Sequence, residues 1–159
     1  MLKYLVILLL VITTFIPCSW AAGNETTSWR RFVFNGREFQ ETAQPAKTSI
    51  HLKNGCLPDI VAGDQAPRED LLPEGTGGVA GLCYLETPGG KQKATGGYAP
   101  LAGASLELSK GKWRMAVRTD AQGYFVLALP PGDYEIKLYG FSGTFRIEKG
   151  KNALLAIRG

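Results

Sequence analysis

From Gly78 to the end of the chain, apolar and polar side chains alternate with a period close to two. Val79, Gly81 and Cys83 fall on one face of a first strand, and Ala104, Leu106 and Leu108 alternate with Ser105 and Glu107. Trp113, Met115 and Val117 interleave with Arg114, Ala116 and Arg118, and Phe125, Leu127 and Leu129 with Tyr124, Val126 and Ala128. Tyr134, Ile136 and Leu138 alternate with Glu135, Lys137 and Tyr139, then Phe145 and Ile147 with Thr144, Arg146 and Glu148. Ala153, Leu155 and Ile157 close the series. A two-residue period turns one set of side chains inward and the other outward. About seven short strands parted by turn residues predict an all-β, antiparallel β-sandwich.

The first half of the chain reads differently. Met1-Leu2-Lys3 is a short basic start, Tyr4 to Ile16 an almost unbroken apolar run, and Ser19-Trp20-Ala21 supplies small residues at peptidase-reading positions. Residues 1–21 are therefore expected to be a secretory signal peptide; the run is short for a membrane span of about 20 residues. Cys18 as a lipid-attachment site is a competing reading, weakened by Pro17 beside it. After Trp29, Asn35-Gly36 between apolar flanks predicts a tight type I′ hairpin, and Thr48–Leu52 a further short strand. Pro58, Gly63, Pro67, Pro73 and Gly75, with acidic Glu69, Asp70 and Glu74, make 53–76 a loop or linker. The expected organisation is a signal at 1–21, a loop-rich extension with one hairpin at 22–75, and a sandwich domain at 76–159, with 88–100 (PGGKQKATGGYAP) as an exposed loop.

Residues 119–140, TDAQGYFVLALPPGDYEIKLYG, hold two of the strands and two corners. Asp120 can accept a backbone N–H and Gly123 supplies positive φ; Pro130-Pro131 ends strand pairing and presets φ before Gly132 turns the chain. Asp120 and Asp133 as calcium ligands are a second reading, without the run of alternating oxygen donors that such a site uses. With GVAGLCY at 78–84 and PLAGASLEL at 100–108, the stretch resembles the carboxypeptidase regulatory-like domain, a transthyretin-like or prealbumin-like sandwich, over roughly residues 76–159. The resemblance implies an Ig-like/transthyretin-like fold of accessory, non-catalytic character, attached to exported or surface proteins. Cys83 and the Gly/Lys-rich 88–99 depart from the family pattern.

The formal net charge is +4, unevenly spread. Residues 22–87 carry 6 basic and 9 acidic side chains, a balance of −3, and residues 88–159 carry 11 and 5, a balance of +6. The basic half favours anionic partners, although its charges are scattered in the manner of a solvated surface. Export argues against nucleic acid. Cys56 and Cys83 can form a disulfide across about 27 residues, worth about 3 kcal/mol, or stand as two separate buried thiols. Two cysteines and a distant His51 lack metal-ligand spacing, so neither metal nor cofactor is expected.

These readings favour a non-catalytic exported binding or protein-interaction module of the cell envelope, periplasmic or secreted, meeting an envelope protein or a glycan. No transmembrane segment is expected in the mature chain. Candidate binding residues are Lys91 and Lys93 in the exposed loop and the outward row Arg114, Arg118, Lys137, Tyr139 and Arg146. Tyr124 and Tyr139 offer flat faces for a sugar ring. A hydrolase of transthyretin-like type would need a histidine cluster, and His51 stands alone. A structural or adhesive surface domain with a Lys–Asn isopeptide crosslink would use Asn152 with Glu107 or Glu135, but residues 78–85 hold no lysine.

Overall fold

A computed structural model describes residues 28–88 and 97–159, and these are all-β. The expected signal, Cys18, Lys91 and Lys93 lie outside the described residues. The described residues form twelve strands: β1 (Arg30–Phe34), β2 (Phe39–Glu41), β3 (Ala46–Leu52), β4 (Asp59–Gly63), β5 (Gly77–Thr87), β6 (Gly97–Pro100), β7 (Ser105–Lys110), β8 (Trp113–Arg118), β9 (Tyr124–Leu129), β10 (Gly132–Leu138), β11 (Phe141–Ile147) and β12 (Asn152–Arg158). The seven strands read from alternation are all present. β4 falls within the stretch read as a linker, and β6 within that read as an exposed loop.

The strands form three sheets, ordered β2-β1-β3-β4, β12-β5-β6 with β9 also on β5, and β11-β10-β7-β8. Every pairing among the described residues is antiparallel except β12 on β5. The sheet of β5 lies in the middle. Val79, Cys83, Phe125, Leu129 and Ile157 on one of its faces pack against Leu106, Leu108, Tyr134, Ile136 and Phe145 of the β7–β11 layer. Ala80, Leu82, Tyr84 and Tyr124 on its other face pack against Phe34 and Ile50 of the first sheet.

The sequence explains which layer is which. The β7, β8 and β10 segments SLELSK, WRMAVR and DYEIKL alternate strictly, as strands with one wet face do. GVAGLCY and YFVLAL are apolar at both parities, and β5 is buried continuously from Gly77 to Tyr84. Strands β5 to β12 thus supply two layers, and the sheet of β1 to β4 a third that covers what alternation assigns to solvent. Tyr124 is consequently 6% exposed rather than outward-facing.

The corners in the 119–140 stretch move the chain between layers. Asp120 Oδ1 accepts the N–H groups of Gln122 and Tyr124 at 2.8 and 2.9 Å, and Gly123 has φ +82°; this turn carries the chain from β8 to β9. Pro130-Pro131 carries it back, where a strand missing two N–H donors cannot continue its ladder. Tyr134 donates its hydroxyl to Pro130 O (2.7 Å) and Lys110 Nζ donates to Pro131 O (2.8 Å), tying the corner to the outer layer. The hairpin at Asn35-Gly36 is present but is a four-residue loop, because Asn35 Oδ1 accepts the N–H groups of Arg37 and Glu38, each at 2.9 Å. Only Gly36 of the pair has positive φ, so the turn is not type I′.

The expected Cys56–Cys83 crosslink does not form: both thiols are free and buried. Asn152 sits beside Gly78 in the β12–β5 pairing and donates to Cys56 O at 3.2 Å, which places Cys56 at the Gly78 end of β5. Cys83 is five residues further along, about 16 Å at the rise of a strand, whereas bridged Cα atoms lie within about 7 Å.

Candidate functional site

The sequence-derived binding residues fall in different places. Arg114, Arg118, Lys137 and Arg146 share the solvent face of the β7–β11 sheet, but Glu107, Asp133 and Glu135 are interleaved with them. Arg114 pairs with Glu107 at 3.3 Å and Arg146 with Asp133 at 3.9 Å, so the row is a mixed, charge-balanced surface. Tyr139 projects from the two-residue β10–β11 loop, 77% exposed, with φ +49°. Tyr124 belongs to another layer, and this tyrosine leads to the cleft described next.

A cleft of about 440 Å³ opens where the first sheet meets the middle one. Phe34 (β1), Tyr98 (β6) and Tyr124 (β9) form its aromatic wall, and Lys47, Thr48 (β3) and Gln122 (the β8–β9 turn) its polar rim. The Tyr98 ring stands edge-on to Phe34 (centroids 4.8 Å apart, 88°) and to Tyr84 (6.1 Å, 86°), which sets the plane it presents. Thr48 Oγ1 donates to Gln122 Oε1 at 3.4 Å, joining two layers across the rim. The register of β3 on β4 slips between Ala46 and Thr48. Lys47 is therefore the extra residue of a β-bulge, a device that re-aims a side chain. No ion pair engages Lys47 among the described residues.

Tyr124 is the unusual member. Its ring is almost fully buried, yet its hydroxyl has no hydrogen-bond partner among the described residues and opens into the cleft. Burial, then the nearby Tyr98 and Asp120, push its ionisation up to about 12, so the phenol stays protonated and can both donate and accept.

A second polar constellation lies on the far face of the first sheet. Arg31, His51 and Asp59 stand in one row across β1, β3 and β4. His51 Nε2 is 3.0 Å from Ser49 Oγ and accepts Arg31 Nε–H at 3.3 Å. This brings the histidine beside the hydroxyl two residues back on the same strand. Ser49 is 1% exposed and His51 4%. Asp59 does not orient the imidazole; it receives the Arg68 N–H at 2.8 Å and its guanidinium at 2.9 Å, which folds residues 64–70 back along the sheet. Burial first, then Arg31, lowers the proton affinity of His51. A nucleophilic pair needs an accessible hydroxyl, a free base and an orienting partner. This pair has a sealed hydroxyl and a base already occupied.

Asn152, considered for a crosslink, gives its Nδ2 hydrogens to the carbonyls of Lys53 and Cys56 at 2.9 and 3.2 Å. The nearby Lys53 directs its amine to Glu69. The carboxamide docks the 53–58 turn onto the last strand. Among the described residues no group of three or more His, Cys, Asp or Glu side chains could hold a metal ion. No described helix is long and apolar enough to cross a membrane.

Neither a protein-family model nor a curated protein matches this chain. Among solved structures it is similar to the minor pilin GBS52 of Streptococcus agalactiae, at 20% identity and a TM-score of 0.42 over 76% of this chain and 63% of that one. It is also similar to the Bacillus anthracis TIE protein, at 16% identity and a TM-score of 0.39 over 85% of this chain and 32% of that one. The chain thus spans less than two thirds of either.

Proposed function

We propose that the chain is a non-catalytic binding module that works outside the cytoplasm and holds a partner of the cell envelope in the Phe34–Tyr98–Tyr124 cleft. In this reading residues 1–21 direct export, β1 and β3 furnish one wall of the cleft, and β6, β9 and the β8–β9 turn the other. The observation that carries it is the Tyr124 hydroxyl, set at the end of a buried ring with no protein partner. The hydroxyl bonds to no described residue and stays protonated, so it can both donate to and accept from a group that enters the cleft. The sealed Ser49–His51 pair supports the non-catalytic part.

Two measurements test the proposal. Immobilised protein incubated with an envelope fraction and with a glycan array should retain a partner that the Tyr124→Phe and Tyr98→Ala variants lose. Equal retention by all three proteins overturns the cleft as the site. A fluorophosphonate probe should leave Ser49 unlabelled in the folded protein, and labelling there overturns the non-catalytic assignment.

A further inference from the structure

We infer that the cleft takes a saccharide ring bearing a carboxylate, its flat face on Tyr98, its hydroxyls on Tyr124, Thr48 and Gln122, and its carboxylate on Lys47. This rests on the cleft being the binding site and names the class of ligand.

The chemistry of the lining selects that class. Tyr98 is 37% exposed, and its orientation is held by edge contacts to Phe34 and Tyr84. A pre-set aromatic plane at a cleft wall accepts the C–H face of a pyranose with little ordering cost. The rim groups are a phenol, an alcohol and a carboxamide, each able to donate and to accept. A polyol presents hydroxyls of the same dual character, so the groups can match in several orientations. An apolar ligand would cover the Tyr124 hydroxyl and leave it without a partner.

The volume of about 440 Å³ falls in the range of small-ligand sites and holds one or two sugar rings. Among the described residues the only formal charge in the lining is Lys47, the extra residue of the bulge, and no described carboxylate lines the cleft. An ammonium facing an uncharged, partly apolar cleft favours an anion over a neutral ligand and disfavours a cation.

The test is calorimetric titration of the full chain with oligogalacturonate and with a neutral galactan oligomer of the same length. The acidic oligomer should bind at least fivefold more tightly, and Lys47→Gln should erase that difference while leaving the neutral affinity within twofold. Tyr124→Phe removes one hydroxyl that makes no hydrogen bond among the described residues, so it should weaken both oligomers without lowering the unfolding midpoint. Equal affinity for the two oligomers, or a preference that survives Lys47→Gln, overturns the acidic assignment. If neither oligomer binds while an envelope protein is retained by the parent and lost by Tyr124→Phe, the saccharide class is wrong and the cleft remains a binding site. If neither oligomer binds and retention is indifferent to Tyr124→Phe, both readings fail.

Discussion

Asn152 and Gly78 face each other across the parallel β12–β5 pairing, and Asn152 Oδ1 occupies the space that a Cβ on residue 78 would need. The glycine is there because the carboxamide must lie flat against β5 to reach the carbonyls of Lys53 and Cys56. Gly78→Ala should cost about 1–3 kcal/mol through overpacking. Asn152→Ala should cost about 1–3 kcal/mol by leaving two carbonyls without their donor. The double variant should be less destabilised than the sum, because each change removes part of the other's penalty. Pro58 Cδ, 2.7 Å from the same Cβ position, keeps that relief partial. Urea denaturation of the four proteins checks the cycle, and strict additivity would contradict the packing described.

Tyr139 is the single non-glycine residue with positive φ among those described. It is the first residue of a two-residue loop in which glycine comes second. The left-handed region costs an ordinary side chain about 1–2 kcal/mol, and asparagine tolerates it better. The ring is exposed and gives up little burial when removed. Tyr139→Asn should therefore raise stability by about 0.5–1 kcal/mol, read as a higher urea midpoint at unchanged slope. A lower midpoint would mean that the exposed ring contributes packing that outweighs the backbone strain.

Cys83 lies in the core between β5 and the outer layer, and burial pushes its thiol up to about 12. Cys56 is equally buried, in an isolated bridge to Leu71. Burial closes both positions to a thiol-selective reagent in the folded protein, Cys83 further because thiolate is the reactive form, and both should react within the dead time in denaturant. Peptide mapping of the labelled protein separates them from Cys18. Addition of a reductant should leave the unfolding temperature of residues 28–159 unchanged, and a drop of more than a degree or two would show that a crosslink had been present.

The legible part of this fold was the part that alternates. Leu106, Leu108, Ile136 and Leu138 are placed by a two-residue period, and their polar neighbours stay wet, so β7, β8 and β10 can be read with no further information. Ala80, Leu82 and Tyr84 share β5 with Val79 and Cys83, and a strand apolar at both parities announces two covered faces. That signal was present in GVAGLCY and YFVLAL, and reading it would have kept Tyr124 inside. The cleft was hidden for another reason. Lys47 reaches it through a bulge whose position depends on how β3 registers on β4, and Thr48 meets Gln122 across 74 residues of chain. The Ser49–His51 pair escaped notice because the segment covering it is held by Asp59 and Arg68, a contact with no periodic trace.

His51 supplies a last, pH-dependent prediction. It is the one histidine in the chain, and its folded-state proton affinity is lowered by burial and then by Arg31, with Asp59 opposing them. The groups facing it are Arg31 from β1, Ser49 on its own strand and Asp59 from β4, while Asp64 lies beyond, bound to Arg31 at 3.2 Å. Protonation would turn Nε2 from an acceptor into a donor and set two cations face to face. The unfolded chain, with an ordinary histidine near 6.5, then binds the proton more readily than the folded one. Stability is thus fully present above that value and is lost as pH falls below it toward the folded-state value. Between pH 7.5 and 5 the carboxylates contribute little, so the urea midpoint should decline more over this window in the parent protein than in His51→Gln. A parent protein whose midpoint stays level across the window would show that the imidazole is protonated in the fold without penalty, contrary to its contact with Arg31.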